Sequence, residues 1–173
     1  MAVDDDHPPE EGLESREPRL EDLVNLCREL NREGARYVVI GGFAIRAAGF
    51  VRQTMDVDLL IETGPENETR VFAALESLPD RAVRELQPGE VAEWAVVRVA
   101  DEIVVDLMKD ACGIDYAAAA ADTDVHEVDG VPIPFASPRL LWRMKRSTYR
   151  EKDRLDLLFL RKLFEARGEP VPP

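Results

Sequence analysis

Cysteine is nearly missing from this chain: 173 residues carry two, Cys27 and Cys112. Neither their number nor their spacing allows a disulfide framework or a zinc site, and both are expected to be small buried hydrophobes. Histidine is equally scarce. His7 and His126 have no ligand partner nearby in sequence and are read as incidental. No apolar run approaches the roughly 20 residues needed to span a bilayer. The opening residues, MAVDDDHPPEEGLESREP, lack the basic-then-apolar pattern of a signal sequence, so a cytoplasmic protein with no membrane partner is expected. Aromatic residues are only 6% of the chain, and Trp94 and Trp142 are expected to be core or edge packing.

What is present is ordinary for a globular protein: 45% hydrophobic and 33% charged residues, enough chain for one well-cored domain and too little for two large ones. The net charge of −13 is uneven. Residues 1–22 hold nine acids against Arg16 and Arg19, a net of −7, whereas residues 138–167 hold ten Lys/Arg against four acids, a net of +6. Overall acidity argues against broad nucleic-acid binding. The basic C-terminal segment keeps a phosphate-bearing ligand in play, with a solvated helix face laced by i,i+4 pairs as the plainer reading.

Residues 1–16, rich in Pro, Glu and Asp, read as a disordered acidic leader. A core follows over 17–136, then C-terminal helices over 137–167. A helix should open at Pro18 and bury a stripe of Leu20, Leu23, Val24, Cys27 and Leu30, with Gly34 as a stop. Strands are expected at 37–40 and 56–61, joined by a short helix from Phe43 to Ala48. A helix from Asn67 to Leu78 and a short strand over 81–87 come next. A hairpin follows, with strands 93–99 and 103–108 and a turn near Asp101. Residues 115–121 read as a helix, and Asp129-Gly130 marks a second hairpin. Ser137-Pro138 begins a helix with an N-cap and an N1 proline, and another runs from Glu151 to Ala166. The order predicts an α+β fold with a mixed sheet flanked by helices.

The stretch YVVIGGFAIRAAGFVRQTMDVDLLIE, residues 37–62, carries the chemistry. Asp56 and Asp58, two apart on a strand, share one face. Paired carboxylates repel and raise each other's pKa unless a cation holds both ionised. Carboxylate oxygens on a rigid strand suit Mg²⁺, which leaves positions for water and phosphate. A lone D-x-D is more often one Asp capping a turn and the other paired with an arginine. Gly41-Gly42 stands at a strand-to-helix turn, where bare backbone N–H groups can hold a phosphate or simply form a tight turn. Asp106 lies in IVVDLM, where a mid-strand Asp is costly to bury unpaired and is otherwise an edge residue facing water.

Gly41-Gly42, then Asp56-x-Asp58 on a strand, then Asp106 between apolar residues: in that order these features resemble the polymerase-β-like nucleotidyltransferase superfamily. The local form GGFAIRAAGFVRQTMDVDLL is similar to small bacterial AbiEii-like and lincosamide-type nucleotidyltransferases. The resemblance extends over roughly residues 20–165, through a hairpin, a helix bearing Lys145 and a helix with Arg150, Lys152 and Asp153. It implies a nucleotidyltransferase-like fold in which Asp56, Asp58 and Asp106 are catalytic and hold two Mg²⁺ (or Mn²⁺) ions. Gly41 and Gly42 would hold the triphosphate of an NTP, with Arg52, Thr54 and Lys145 near the nucleotide. Gly42 stands where many relatives carry serine. Asp153 and Asp156 would cap their helix or pair with Arg150 and Arg154.

The expected activity is metal-dependent transfer of an NMP from an NTP to a hydroxyl acceptor (protein, RNA or small molecule), with release of pyrophosphate. The alternative is a toxin–antitoxin or regulatory binding module that uses the same fold with a small helical protein partner. Three intact carboxylates favour the enzyme, since a pure binding module has no reason to bear their repulsion.

Overall fold

The computed structural model describes residues 14–173, and the order of helix and strand follows from where apolar periodicity meets turn residues. Helix α1 (Leu20–Arg32) has Pro18 ahead of its N-cap, Arg19, whose backbone N–H donates to Asp22 Oδ2 at 2.7 Å. Leu23, Val24, Leu26, Cys27 and Leu30 are buried, while Leu20 is exposed; the apolar stripe begins one turn later than expected. Strand β1 (Tyr37–Ile40) is buried at all four positions. It runs directly into α2 (Gly41–Ala47), two residues before the expected start. Strand β2 (Asp56–Ile61) and helix α3 (Pro65–Leu75) follow.

The short strand expected over 81–87 is instead a 3₁₀ turn, Ala82–Glu85. The buried carboxylate of Asp101 accepts from the backbone N–H groups of Asp80 (3.0 Å) and Ala82 (2.9 Å), and Arg81 takes φ +50°. These contacts coil the segment. Helix α4 (Glu90–Glu93) then takes Glu93 from the expected first strand of the hairpin, which begins only at Val96. Buried Glu68 fixes it, accepting from Gly89 N (3.1 Å) and Val91 N (2.9 Å). The hairpin itself is β3 (Val96–Ala100) and β4 (Val104–Met108).

A two-residue pair, β5 (Asp110–Ala111) and β6 (Ile114–Asp115), was not expected. Its tip holds Cys112 at φ +52°, and this thiol is exposed rather than a buried hydrophobe; Cys27 is buried. Trp94, too, is 61% exposed instead of packed, whereas Trp142 is buried. Helix α5 (Tyr116–Ala120) is capped by Asp115, which accepts from Ala118 N. Strands β7 (Thr123–Val128) and β8 (Val131–Ala136) meet at Asp129-Gly130, whose φ values of +50° and +77° suit a type I′ turn. Ser137 caps α6 (Pro138–Lys145) by accepting from Leu140 N at 3.1 Å, and Gly168 ends α7 (Glu151–Arg167).

Six strands form one mixed sheet in the order β3-β4-β2-β1-β8-β7. Strand β1 runs antiparallel to β2 and parallel to β8, and β2 runs parallel to β4. Helices α1 and α3 pack together, α6 lies against α2, and α7 against α6. The result is the expected α+β fold with a mixed sheet flanked by helices. Alternation fixes what each face carries. On β3 and β4 one face is Val97, Val99, Val105 and Leu107, all buried, and the other is Val96, Arg98, Ala100, Val104, Asp106 and Met108.

Residues 1–13 of the expected leader lie outside the described residues. Its end is anchored. Ser15 Oγ donates to Asp101 O at 2.6 Å, Arg16 N donates to Glu102 O at 2.8 Å, and the Arg16 guanidinium pairs with Asp22 and Glu102. No helix among the described residues is long and apolar enough to cross a membrane.

Candidate active site

Strand register assembles the carboxylates. Asp58 lies opposite Asp106 in the parallel β2–β4 pair, and Arg98 lies opposite Asp106 in the antiparallel β3–β4 pair. Asp56, one pleat along from Asp58, shares its face. Ligand oxygens of Asp56, Asp58 and Asp106 fall within 4.8 Å of one another. Their surroundings differ. Arg98 donates Nε to Asp106 Oδ1 (2.9 Å) and Nη2 to Asp106 Oδ2 (2.8 Å), with a longer 3.4 Å contact to Asp56 Oδ2. Among the described residues nothing donates a hydrogen bond to the Asp58 carboxylate. Burial, reinforced by the neighbouring charges of Asp56 and Asp106, pushes the Asp58 carboxyl up to about 7.

The glycines are held to their identity by this cluster. Gly41 adopts φ +66°, and a Cβ there would run into the Asp58 carboxylate, with Cγ at 2.8 Å. A Cβ on Gly42 would overlap Thr54, with its Cβ at 2.5 Å. The turn thus seats the first residues of α2 directly against the carboxylates. Thr54 is buried, and its hydroxyl donates to Asp56 O at 3.0 Å, fixing the backbone where β2 begins.

Opposite the carboxylates stands a basic wall organised from α7. Asp153 and Asp156 are fully buried on α7. Lys145 Nζ lies 2.8 Å from Asp153 Oδ1 and 2.9 Å from Asp156 Oδ2. Arg52 chelates Asp156 through Nε (2.8 Å) and Nη2 (2.9 Å). Asp153 also accepts from Thr148 Oγ1 and Arg150 Nε, both at 2.7 Å. Desolvation pushes the Asp153 carboxyl up, but the hydrogen bonds from Lys145, Thr148 and Arg150 outweigh it and hold it at about 2. Asp153 therefore pairs with Arg150 as expected, whereas Asp156 pairs with Arg52 and Lys145 instead of Arg154. The Lys145 ammonium is buried between two carboxylates, not a free charge extended into the cleft.

All eight sequence-predicted residues, Gly41, Gly42, Arg52, Thr54, Asp56, Asp58, Asp106 and Lys145, line one cleft of about 710 Å³. Arg98, Thr148, Arg150 and Lys152 line it as well. Arg98 is the residue that sequence reasoning passed over. The observed register pairs it with Asp106, whereas a turn centred on the expected Asp101 would pair it with Val104, two residues away on the same face.

Three oxygen-donor carboxylates on adjacent strands, beside a glycine turn that opens a helix, form an acidic centre suited to a hard divalent cation and a phosphate. No family model matches the chain, and no curated protein matches it. Solved structures do. A nucleotidyltransferase-like antigenic protein from Paracoccidioides brasiliensis aligns with a TM-score of 0.51 at 15% identity, over 83% of this chain and 74% of its own. The lincosamide antibiotic adenylyltransferase LnuA, solved with lincomycin bound, aligns with a TM-score of 0.54 at 11% identity, over 86% of this chain and 99% of its own. The fold is that of nucleotidyltransferase-like proteins.

Proposed function

We propose that this protein is a divalent-metal-dependent nucleotidyltransferase that moves an NMP from an NTP to a hydroxyl acceptor. The observation that carries the reading is the convergence of Asp56, Asp58 and Asp106 to within 4.8 Å, beside a glycine turn that no side chain would fit. The donor set fits Mg²⁺ or Mn²⁺: every ligand is a carboxylate oxygen, and Asp58 is half-buried among like charges with no donor among the described residues. Asp56 and Asp58 would hold the ion shared with the nucleotide phosphates, and Asp106 would hold the ion beside the acceptor. Bound cations there would neutralise charge on the phosphates and lower the pKa of the attacking hydroxyl.

The chain's own residues do the rest. Gly41 and Gly42 offer backbone N–H groups to the triphosphate, and the basic wall counters its charge. Arg52 and Lys145 are held in place by Asp156 and Asp153, so they act as fixed partial charges, while exposed Lys152 is free to reach phosphate. In the reaction the acceptor oxygen bonds to the α-phosphorus and the α–β phosphoanhydride bond breaks. The hydroxyl proton passes to solvent water, and pyrophosphate carries away the electron pair of the broken bond. Three carboxylates retained against their mutual repulsion favour this reading over a toxin–antitoxin or regulatory module that only binds a protein partner. The test is incubation with each α-labelled NTP and Mg²⁺, with and without cell extract. Label transferred to an acceptor, together with released pyrophosphate, is the expected result; no transfer from any of the four NTPs refutes the reading.

A further inference from the structure

Three of the six carboxylate oxygens open to a cation are already taken. Arg98 engages both oxygens of Asp106 in a bidentate pair and touches one oxygen of Asp56, while Asp58 is left without a donor. A planar guanidinium seated in this way uses the in-plane lone pairs of Asp106. A divalent ion bound to the same oxygens would meet a positive group at contact distance. Like-charge repulsion, together with the two lone pairs Arg98 occupies, sets the ion and Arg98 in competition for Asp106.

Arg98 also has somewhere to go. It sits on β3, the outermost strand on that side of the sheet, with its side chain 60% exposed. Its neighbours on the same face, Val96 and Ala100, are themselves exposed. Among the described residues its hydrogen-bond and ion-pair partners are the two carboxylates alone. Rotation of the side chain toward solvent breaks nothing else.

Building on the cation reading above, we infer that Arg98 is a resident counter-ion that competes with the divalent cation for Asp106 and must leave before Asp106 can take one. Arg98 is then a positioning residue that sets the affinity and the order of cation loading. Asp56 and Asp58 load first, and Asp106 loads only when Arg98 has swung away. In the unloaded protein Arg98 keeps the cluster neutral enough to fold.

The experiment is calorimetric titration with Mn²⁺ alone, without nucleotide, on the wild type, Arg98→Met and Arg98→Lys, paired with melting in EDTA. Competition predicts that Arg98→Met melts lower in EDTA yet binds Mn²⁺ about tenfold more tightly or better. Arg98→Lys, whose point charge cannot chelate both oxygens, falls between. A purely structural arginine would lower the melting point without tightening Mn²⁺ binding. Equal or weaker Mn²⁺ binding by a folded Arg98→Met overturns the inference, and if that variant does not fold, Arg98→Lys decides by the same criterion. Mn²⁺ binding by the variants but not by the wild type supports it in its strongest form. Absence of binding in all three proteins overturns the cation reading itself, and the inference with it.

Discussion

Replacing Lys145 by methionine tests the architecture of the basic wall. The substitution keeps the stem volume and removes the ammonium. It leaves Asp153 with Thr148 and Arg150, and Asp156 with Arg52 alone, both carboxylates being fully buried. Removing one partner of a buried pair costs about 3–5 kcal/mol when the remaining charge is orphaned. Here each carboxylate keeps an arginine, so the lower end applies, about 3 kcal/mol. For a domain of this size that corresponds to a fall of roughly 6–12 °C in melting temperature. A lysine with its ammonium free in the cleft, near the nucleotide, would move stability by about 0.5 kcal/mol or less. Urea denaturation of Lys145→Met, Asp156→Asn and the double variant separates the two cases. The double variant should recover part of the loss, because neutralising Asp156 removes a charge that Lys145 no longer balances. A single variant within about 0.5 kcal/mol of wild type refutes the buried network.

Asp106→Asn should split binding from chemistry: NTP affinity within about tenfold of wild type, transfer down roughly a thousandfold, read by nucleotide titration and single-turnover kinetics. The Asp58 carboxyl, raised to about 7 in the fold, binds more protons folded than unfolded between pH 4 and 7. Metal-free stability should therefore fall as pH rises through that window, by roughly 2–4 kcal/mol in all. Asp58→Asn should flatten that slope in denaturation curves taken from pH 5 to 8; an unchanged slope assigns it to another group. Asp153 works in the opposite sense. Its carboxyl is depressed to about 2, so its stabilisation is complete above about pH 4 and is lost as pH falls toward 2. Gly41→Ala should cost about 2 kcal/mol or more, because a Cβ strains φ +66° and displaces the Asp58 carboxylate. A variant of unchanged melting temperature would mean that the turn relaxes freely.

The parts of the fold legible in sequence were those decided within a few residues. Strands β1 and β2 begin and end where apolar runs meet Gly41 and Asp56, and Asp129-Gly130 and Ser137-Pro138 announce their turn and cap. What escaped was decided at a distance. The 3₁₀ turn at Ala82–Glu85 owes its shape to Asp101, some twenty residues on. Asp156 finds Arg52, 104 residues away, in place of its near neighbour Arg154. Lys145 is placed near the nucleotide by resemblance, but its burial between Asp153 and Asp156 depends on α7 packing against α6, and Cys112 reads as a small hydrophobe until a tight turn lifts it to the surface. Spacing along the chain brought out the carboxylates; their counter-charges depend on which strands and helices become neighbours.

That division by distance orders events during synthesis. Domains form as the chain emerges, N-terminal parts first. By the time β4 has been made, Asp56, Asp58 and Asp106 all exist, and so does Arg98, eight residues from Asp106 across a hairpin that closes locally. Lys145, Asp153 and Asp156 come later, and the parallel pairing of β1 with β8 later than the β2–β4 pair, since it waits for Phe135 to reach Val39. Such long closures are the slow ones. A nascent chain therefore carries a complete acidic cluster before Lys145 and the α7 carboxylate that anchors Arg52 have been translated, and the contact that keeps the cluster from repelling itself apart in that interval is the one encoded nearest to it.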